Sequence, residues 1–219
     1  MPTLFNVPFV AIAAAVALAA YTPLWRGLRL IVTFLHELGH AVTAGAVGGG
    51  VRRVVVRLDT SGHTEYMAPR GRMRAILVSG AGYVSPAVAA VVCAVSVQPA
   101  RAEVFTFVSA GITVLVVVGW VRHLFTLMLA TAAAGLLVLA GYYGVAEPTQ
   151  CALAGLFAAG AVRASYEQHR VRDRPASDAG QLRAATGLPA WVFSWLFIAI
   201  GAASAAAVTV VLSIPQVAV

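Results

Sequence analysis

The chain has 219 residues, 60% of them hydrophobic and only 11% charged, with a mean hydropathy of +0.87. A soluble domain carries about 25% charged residues, so the composition excludes a soluble globular enzyme and indicates an integral membrane protein with length for about six spans. The net charge is +7, and all 15 basic residues are arginines lying between apolar runs without aromatic interleaving. That placement speaks for membrane topology and against nucleic acid as a partner.

In chain order, residues 4–24 read as a first span, closed by Tyr21, Thr22, Pro23 and Trp25 as interface residues. Its N-terminus lacks a basic region, so it is expected to be a span and not a cleaved signal. The second span, about 27–46, contains His36-Glu37-Leu38-Gly39-His40. On a helix, positions i and i+4 share a face, so both imidazoles can reach one ion. Glu37 stands where its carboxylate can meet a metal-bound water, which is the arrangement of a zinc hydrolase. Two imidazoles and a carboxylate are costly in hydrocarbon, so within a span they mark a functional site.

Gly48–Gly50 end that helix. Residues 51–68 alternate valines with arginines, turn at Asp59–Gly62 and return through His63–Met67, which predicts a short β-hairpin against the membrane surface. The third span, about 75–97, is thin because of Ser79, Gly80, Gly82 and Pro86, a composition suited to close packing beside a site. Spans four to six are expected near 104–120, 124–143 and 150–164. Residues 165–190 are the long polar stretch, and 190–214 form the last span. The reading is an all-α polytopic membrane protein of about six to seven transmembrane helices, with a short β-hairpin after the second helix. It forms a single membrane-embedded domain over residues 1–219. Cys93 and Cys151 lie in or beside apolar runs and make neither a disulfide framework nor a thiolate site.

Arginine bias sets the orientation. Twelve arginines, six at 52–74, Arg122 and five at 163–183, fall on the side of the hairpin and the long polar stretch, against Arg26, Arg29 and Arg101 on the other. The richer side is expected to be cytoplasmic, in a plasma-membrane protein whose site faces the cytoplasm. A third metal ligand is needed, since catalytic zinc usually takes three and keeps one position open. The same-side candidates are Asp178, Asp173, Glu167, His169, His63, Asp59 and Glu65. Asp173, between two arginines, reads as a solvated ion pair, and His123 as interfacial. Asp178 can dip into the membrane edge as a ligand, but an Asp or Ser at that place also serves as the cap of a short helix through Gly180–Thr186.

The chain resembles the site-2-protease-like intramembrane zinc metallopeptidases, more narrowly the M50B-like group. The resemblance implies that His36, His40 and Asp178 bind Zn2+, with Ser177-Asp178-Ala179 as the best match to the family's late aspartate segment, and that Glu37 is the general base. It likens residues 51–68 to the family's hairpin and Gly80–Pro86, loosely, to its Gly/Pro-containing helix. The implied activity is hydrolysis of a peptide bond in or near a transmembrane segment of a membrane-protein or peptide substrate, within the lipid bilayer. Departures from the family pattern are Ala179 between the aspartate and Gly180, and the lack of an asparagine–proline motif before it. Three other readings compete: a non-proteolytic membrane metalloprotein or inactive homologue, a transporter using the histidines and Glu37 as a relay, and a scaffold held by a buried polar trio.

Overall fold

The computed structural model describes residues 21–67, 71–97 and 99–214. In order these form α1 (Thr22–Ala46), β1 (Val51–Val56), β2 (Gly62–Tyr66), α2 (Arg72–Val95), α3 (Pro99–Trp120), α4 (Leu124–Tyr142), α5 (Ala146–His169), α6 (Asp178–Thr186) and α7 (Ala190–Ser213). The protein is an all-helical, polytopic membrane protein with one short hairpin.

Among the described residues, four helices are long and apolar enough to cross a membrane: α2, α3 from Arg101 onward, α4 and α7. That corrects the expected six to seven. α1 and α5, with 25 and 24 residues, have the length but not the apolar character. The cause is visible in their side chains. α1 carries Arg26, Arg29, His36, Glu37 and His40, and α5 carries Glu147, Gln150, Arg163, Glu167 and Gln168. Several of these groups satisfy one another inside the bundle. The expected span at 4–24 lies outside the described residues except for its last four. Three of them, 22–24, open the next element, α1, with Tyr21 as its N-cap and a proline in its first turn, a position where the missing N–H costs nothing. Trp25 is 2% exposed and buried among helices, not interfacial.

The hairpin follows the helix with the histidine motif. Counted among the described helices, it therefore precedes the second, α2, instead of following it. The two strands pair antiparallel, Val55 opposite His63 and Val56 opposite Gly62. The hairpin does not lie flat on a surface. Val54 and Val56 are fully buried against Phe34 and Ala41 of α1 and Val116 and Val121 near the end of α3, worth about 1.5–3 kcal/mol for each side chain if the full transfer from water applies. The outer edge of β1 is also satisfied. Val54 forms a parallel bridge to Val121, and the Thr126 hydroxyl accepts from Val56 N–H at 2.8 Å and donates to Val56 C=O at 3.0 Å. β1 is thus an interior strand, and β2 forms the free edge of the two-stranded sheet.

α1 is central to the packing. One side joins α2, α5 and α7 through Trp25, Val32, Ala90, Ala94, Phe157 and Val208. Its other side meets the hairpin, α3 and α4. A smaller core of Ala179, Leu182, Phe193 and Phe197, with Ile76 and Tyr83 against it, seats α6 on α2 and α7.

Candidate metal centre

The i, i+4 spacing on α1 brings the imidazoles of His36 and His40 together, with Nε2 atoms 3.0 Å apart. Asp178, in the first turn of α6, completes the group. Its Oδ2 lies 3.2 Å from His36 Nε2 and 3.5 Å from His40 Nε2. The three ligand atoms lie within 4.8 Å of one another, a cluster capable of coordinating a metal ion. Two local features aim them. Ser177 is the N-cap of α6, its Oγ accepting from Gly180 N–H at 3.1 Å, so the adjacent aspartate is free of that duty. The cap half of the ligand-or-cap alternative falls to Ser177, and Asp178 stands in the histidine cluster. His40 Nδ1 lies 2.7 Å from the Val78 carbonyl. A carbonyl only accepts, so Nδ1 carries the proton and Nε2 presents its lone pair to the cluster.

α2 makes the space. A Cβ on Gly82 would lie 2.5 Å from both His36 Cε1 and His40 Nε2, so only glycine lets the imidazoles occupy this position. The helices meet as closely at Gly39, where a Cβ would come within 2.5 Å of Ser85 Oγ and 2.7 Å of the Ala81 carbonyl. Small residues at such crossings are how membrane helices approach. Pro86 has no N–H to offer the Gly82 carbonyl one turn before it. The Ser85 hydroxyl lies 3.1 Å from that carbonyl and 2.7 Å from Leu35 C=O on α1, sharing its proton between them. The carbonyl that the proline leaves without its helical donor is thereby tied to the helix that carries the histidines. Tyr83 packs edge-on against His36, with centroids 4.5 Å apart, and stacks on Phe197.

Glu37 is buried and points toward the hairpin. Thr64 of β2 lies 2.8 Å from Glu37 Oε2 and 2.9 Å from its backbone carbonyl, and donates its hydroxyl proton there. The hairpin turn is fastened to the same helix, with Thr33 Oγ1 donating to Thr60 C=O at 3.1 Å. Thr60 sits at φ 68°, in the left-handed region. A cavity of about 220 Å³ opens beside this group, lined among others by Arg29, Thr33, His36, Glu37, Thr60 and Tyr83.

The remaining sequence candidates lie elsewhere. Asp173 pairs with Arg172 at 3.7 Å and is 70% exposed, the solvated ion pair expected from its neighbours. Glu167 contacts Arg29, Arg163 and Trp25. His63 lies 3.5 Å from Glu65, which also pairs with Arg53. The hydrogen bond from Arg53 holds the Glu65 carboxyl below its ordinary range. Asp59 accepts from the N–H and hydroxyl of Ser61 in the hairpin turn. His123 precedes α4 and lies 3.2 Å from the Thr126 hydroxyl. His169 sits against Trp195. Among the described residues, only His36, His40 and Asp178 form a metal-capable group.

Sequence reasoning did not single out Val78, Thr64, Tyr83 or Thr126. Three act through a backbone group or through the hairpin fold, and such roles leave no residue pattern. The small residues at 79–86 were the one available signal, and they do mark the helix beside the site.

The donor set fits zinc. Two nitrogen lone pairs and one carboxylate oxygen converge on one point, and Gly82 leaves the space there that a Cβ would fill. Nitrogen and oxygen donors of this kind, three in number, suit a zinc site that keeps a position open. No match was found among curated proteins or solved structures. The family model described as Peptidase M50B-like matches residues 9–208. With most of its length matched and a metal-capable His/His/Asp group on the helices that the match covers, the chain belongs to the M50B-like peptidase family.

Proposed function

We propose that the protein is a zinc-dependent intramembrane endopeptidase, hydrolysing a peptide bond in or near a transmembrane segment of a membrane protein. The observation that carries the reading is the convergence of His36, His40 and Asp178 beside a buried glutamate on a cavity wall. Family membership agrees with it. Zn2+ is the metal, held by those three residues. When bound, zinc lowers the pKa of a coordinated water and polarises a carbonyl.

The chain's own residues do the rest. Glu37 takes the proton of the attacking water and passes it to the leaving amine. Thr64 holds the carboxylate in place on the cavity wall. His40 is kept in the metal-binding tautomer by Val78. A transmembrane substrate hides its carbonyls in helical hydrogen bonds and must unwind before attack. The free edge of β2 offers an extended segment the partners it loses on unwinding. The activity resides in a single membrane-embedded domain over residues 1–219. The membrane is the plasma membrane; the cytoplasmic orientation expected from arginine bias is withdrawn, because Arg29 and Glu167, assigned to opposite sides by that count, lie 2.8 Å apart.

Glu37→Gln and Asp178→Ala separate the roles. Purified Glu37→Gln is expected to retain one zinc per chain while cleavage of a co-expressed membrane substrate stops. Asp178→Ala is expected to lose both metal and cleavage. Wild-type cleavage by Glu37→Gln would remove the proposed base, and full zinc content in Asp178→Ala would remove the proposed third ligand.

A further inference from the structure

The cavity follows α1 between two polar ends. At one lie His36 and Glu37; at the other lies Arg29, whose side chain is 37% exposed. Arg29 and His36 are seven residues apart on α1, two turns along one face, so they are separated by about 10 Å of helix rise. Glu167 fixes the arginine. Its Oε2 meets Arg29 Nη1 at 2.8 Å. Its Oε1 accepts from Trp25 Nε1 at 3.0 Å and from Arg163 Nε at 3.2 Å, and the Arg163 guanidinium also covers the Trp25 ring. The carboxylate is thus held by two side chains besides Arg29. A guanidinium has five donors in a planar fork, and Glu167 Oε2 engages one arm of it. A cation facing a cavity within a membrane bundle marks a functional site, and a planar fork favours a carboxylate bound through two oxygens.

We infer that Arg29 is a specificity determinant that binds a substrate carboxylate about three residues from the bond to be cut. The spacing follows from two lengths: about 10 Å of helix rise between the Arg29 and His36 backbones, and about 3.4 Å per residue of extended chain. The inference rests on the metal reading of His36, His40 and Asp178, and goes beyond it by naming the substrate class: segments with an acidic side chain at a fixed distance from the scissile bond. Glu167 is a positioning residue that holds Arg29 toward the cavity.

Short alanine–leucine peptides ending in a hydroxamate, which anchors on zinc, test the spacing. One glutamate is placed one to five residues from the hydroxamate, with glutamine peptides as controls, and affinity is measured on the full-length zinc-loaded protein in detergent. The glutamate peptides are expected to bind at least tenfold tighter than the glutamine ones near the third position only, and Arg29→Gln is expected to abolish that advantage. Arg29→Glu should transfer the preference to a lysine peptide at the same position, a gain that misfolding cannot produce. Hydroxamate binding that depends on Asp178 but shows no glutamate preference overturns the Arg29 assignment and leaves the metal reading intact. A glutamate preference that depends on Arg29 and survives Asp178→Ala upholds the anchor and removes the metal reading. Absence of all binding overturns both. Arg29-dependent retention of phosphatidylglycerol, with equal affinity for glutamate and glutamine peptides, identifies a lipid phosphate as the anion and overturns the proposal.

Discussion

α3 and α4 turn Leu115, Val118, Leu124 and Leu136 outward, each more than two-thirds exposed. α5 is far less apolar yet buries twelve residues, among them Gln150, Ser165 and Gln168, and α1 and α6 carry the polar cluster, with α2 packed against it. Two of the four span-like helices, α3 and α4, thus stand away from the chemistry, while α2, also span-like, packs directly against it. Uniform hydrophobicity records contact with lipid, whereas the interior of the bundle needs small residues for close approach and polar ones that find partners. The link between the two regions is also polar: Gln150 Nε2 donates to Thr106 Oγ1 at 2.9 Å, both buried.

Substitutions can test this contrast. The largest effect is expected inside, from Gly82→Ala. Its methyl would stand 2.5 Å from both imidazoles, and we expect zinc affinity to fall by about 10-fold or more, the scale on which disturbed ligand orientation acts. A chelator competition titration measures it, and unchanged affinity would show that α2 has room to withdraw. A smaller effect is expected where the regions join. Thr126→Val keeps the shape but removes the hydroxyl that satisfies both polar groups of Val56. Each stranded group costs about 1–3 kcal/mol, so the melting temperature in detergent should drop and the Val56 amide should exchange faster. Protection unchanged from wild type would mean that the hairpin does not depend on α4. The smallest effect belongs outside. Leu115→Ala, at a position 72% exposed, should change stability by less than about 0.5 kcal/mol, as surface substitutions do. A loss several times larger would show that this face is packed against another chain.

Much of the site was legible in the sequence because its spacing is local. The i, i+4 histidines and the adjacent glutamate need only a helix to be brought together, and Thr22–Ala46 provides it. The hairpin was readable from its valines and its Asp-Thr-Ser-Gly turn, and the element boundaries from 72 onward fell close to the apolar runs. The span count was not readable, because an apolar run does not say whether lipid or protein surrounds it. The hairpin's burial was hidden for a related reason, since its outer edge is satisfied by Thr126, seventy residues away.

By itself, then, the sequence determined a membrane protein with a two-histidine half-site, through composition and helical period alone. Only the tertiary structure decided the remainder. It left the cap of α6 to Ser177 and brought Asp178 to 3.2 Å from His36. It set Gly82 against the imidazoles and turned Arg29 into the same cavity as Glu37. These are contacts between α1, α2, α5 and α6, and residues so far apart along the chain meet only where packed helices make room for them.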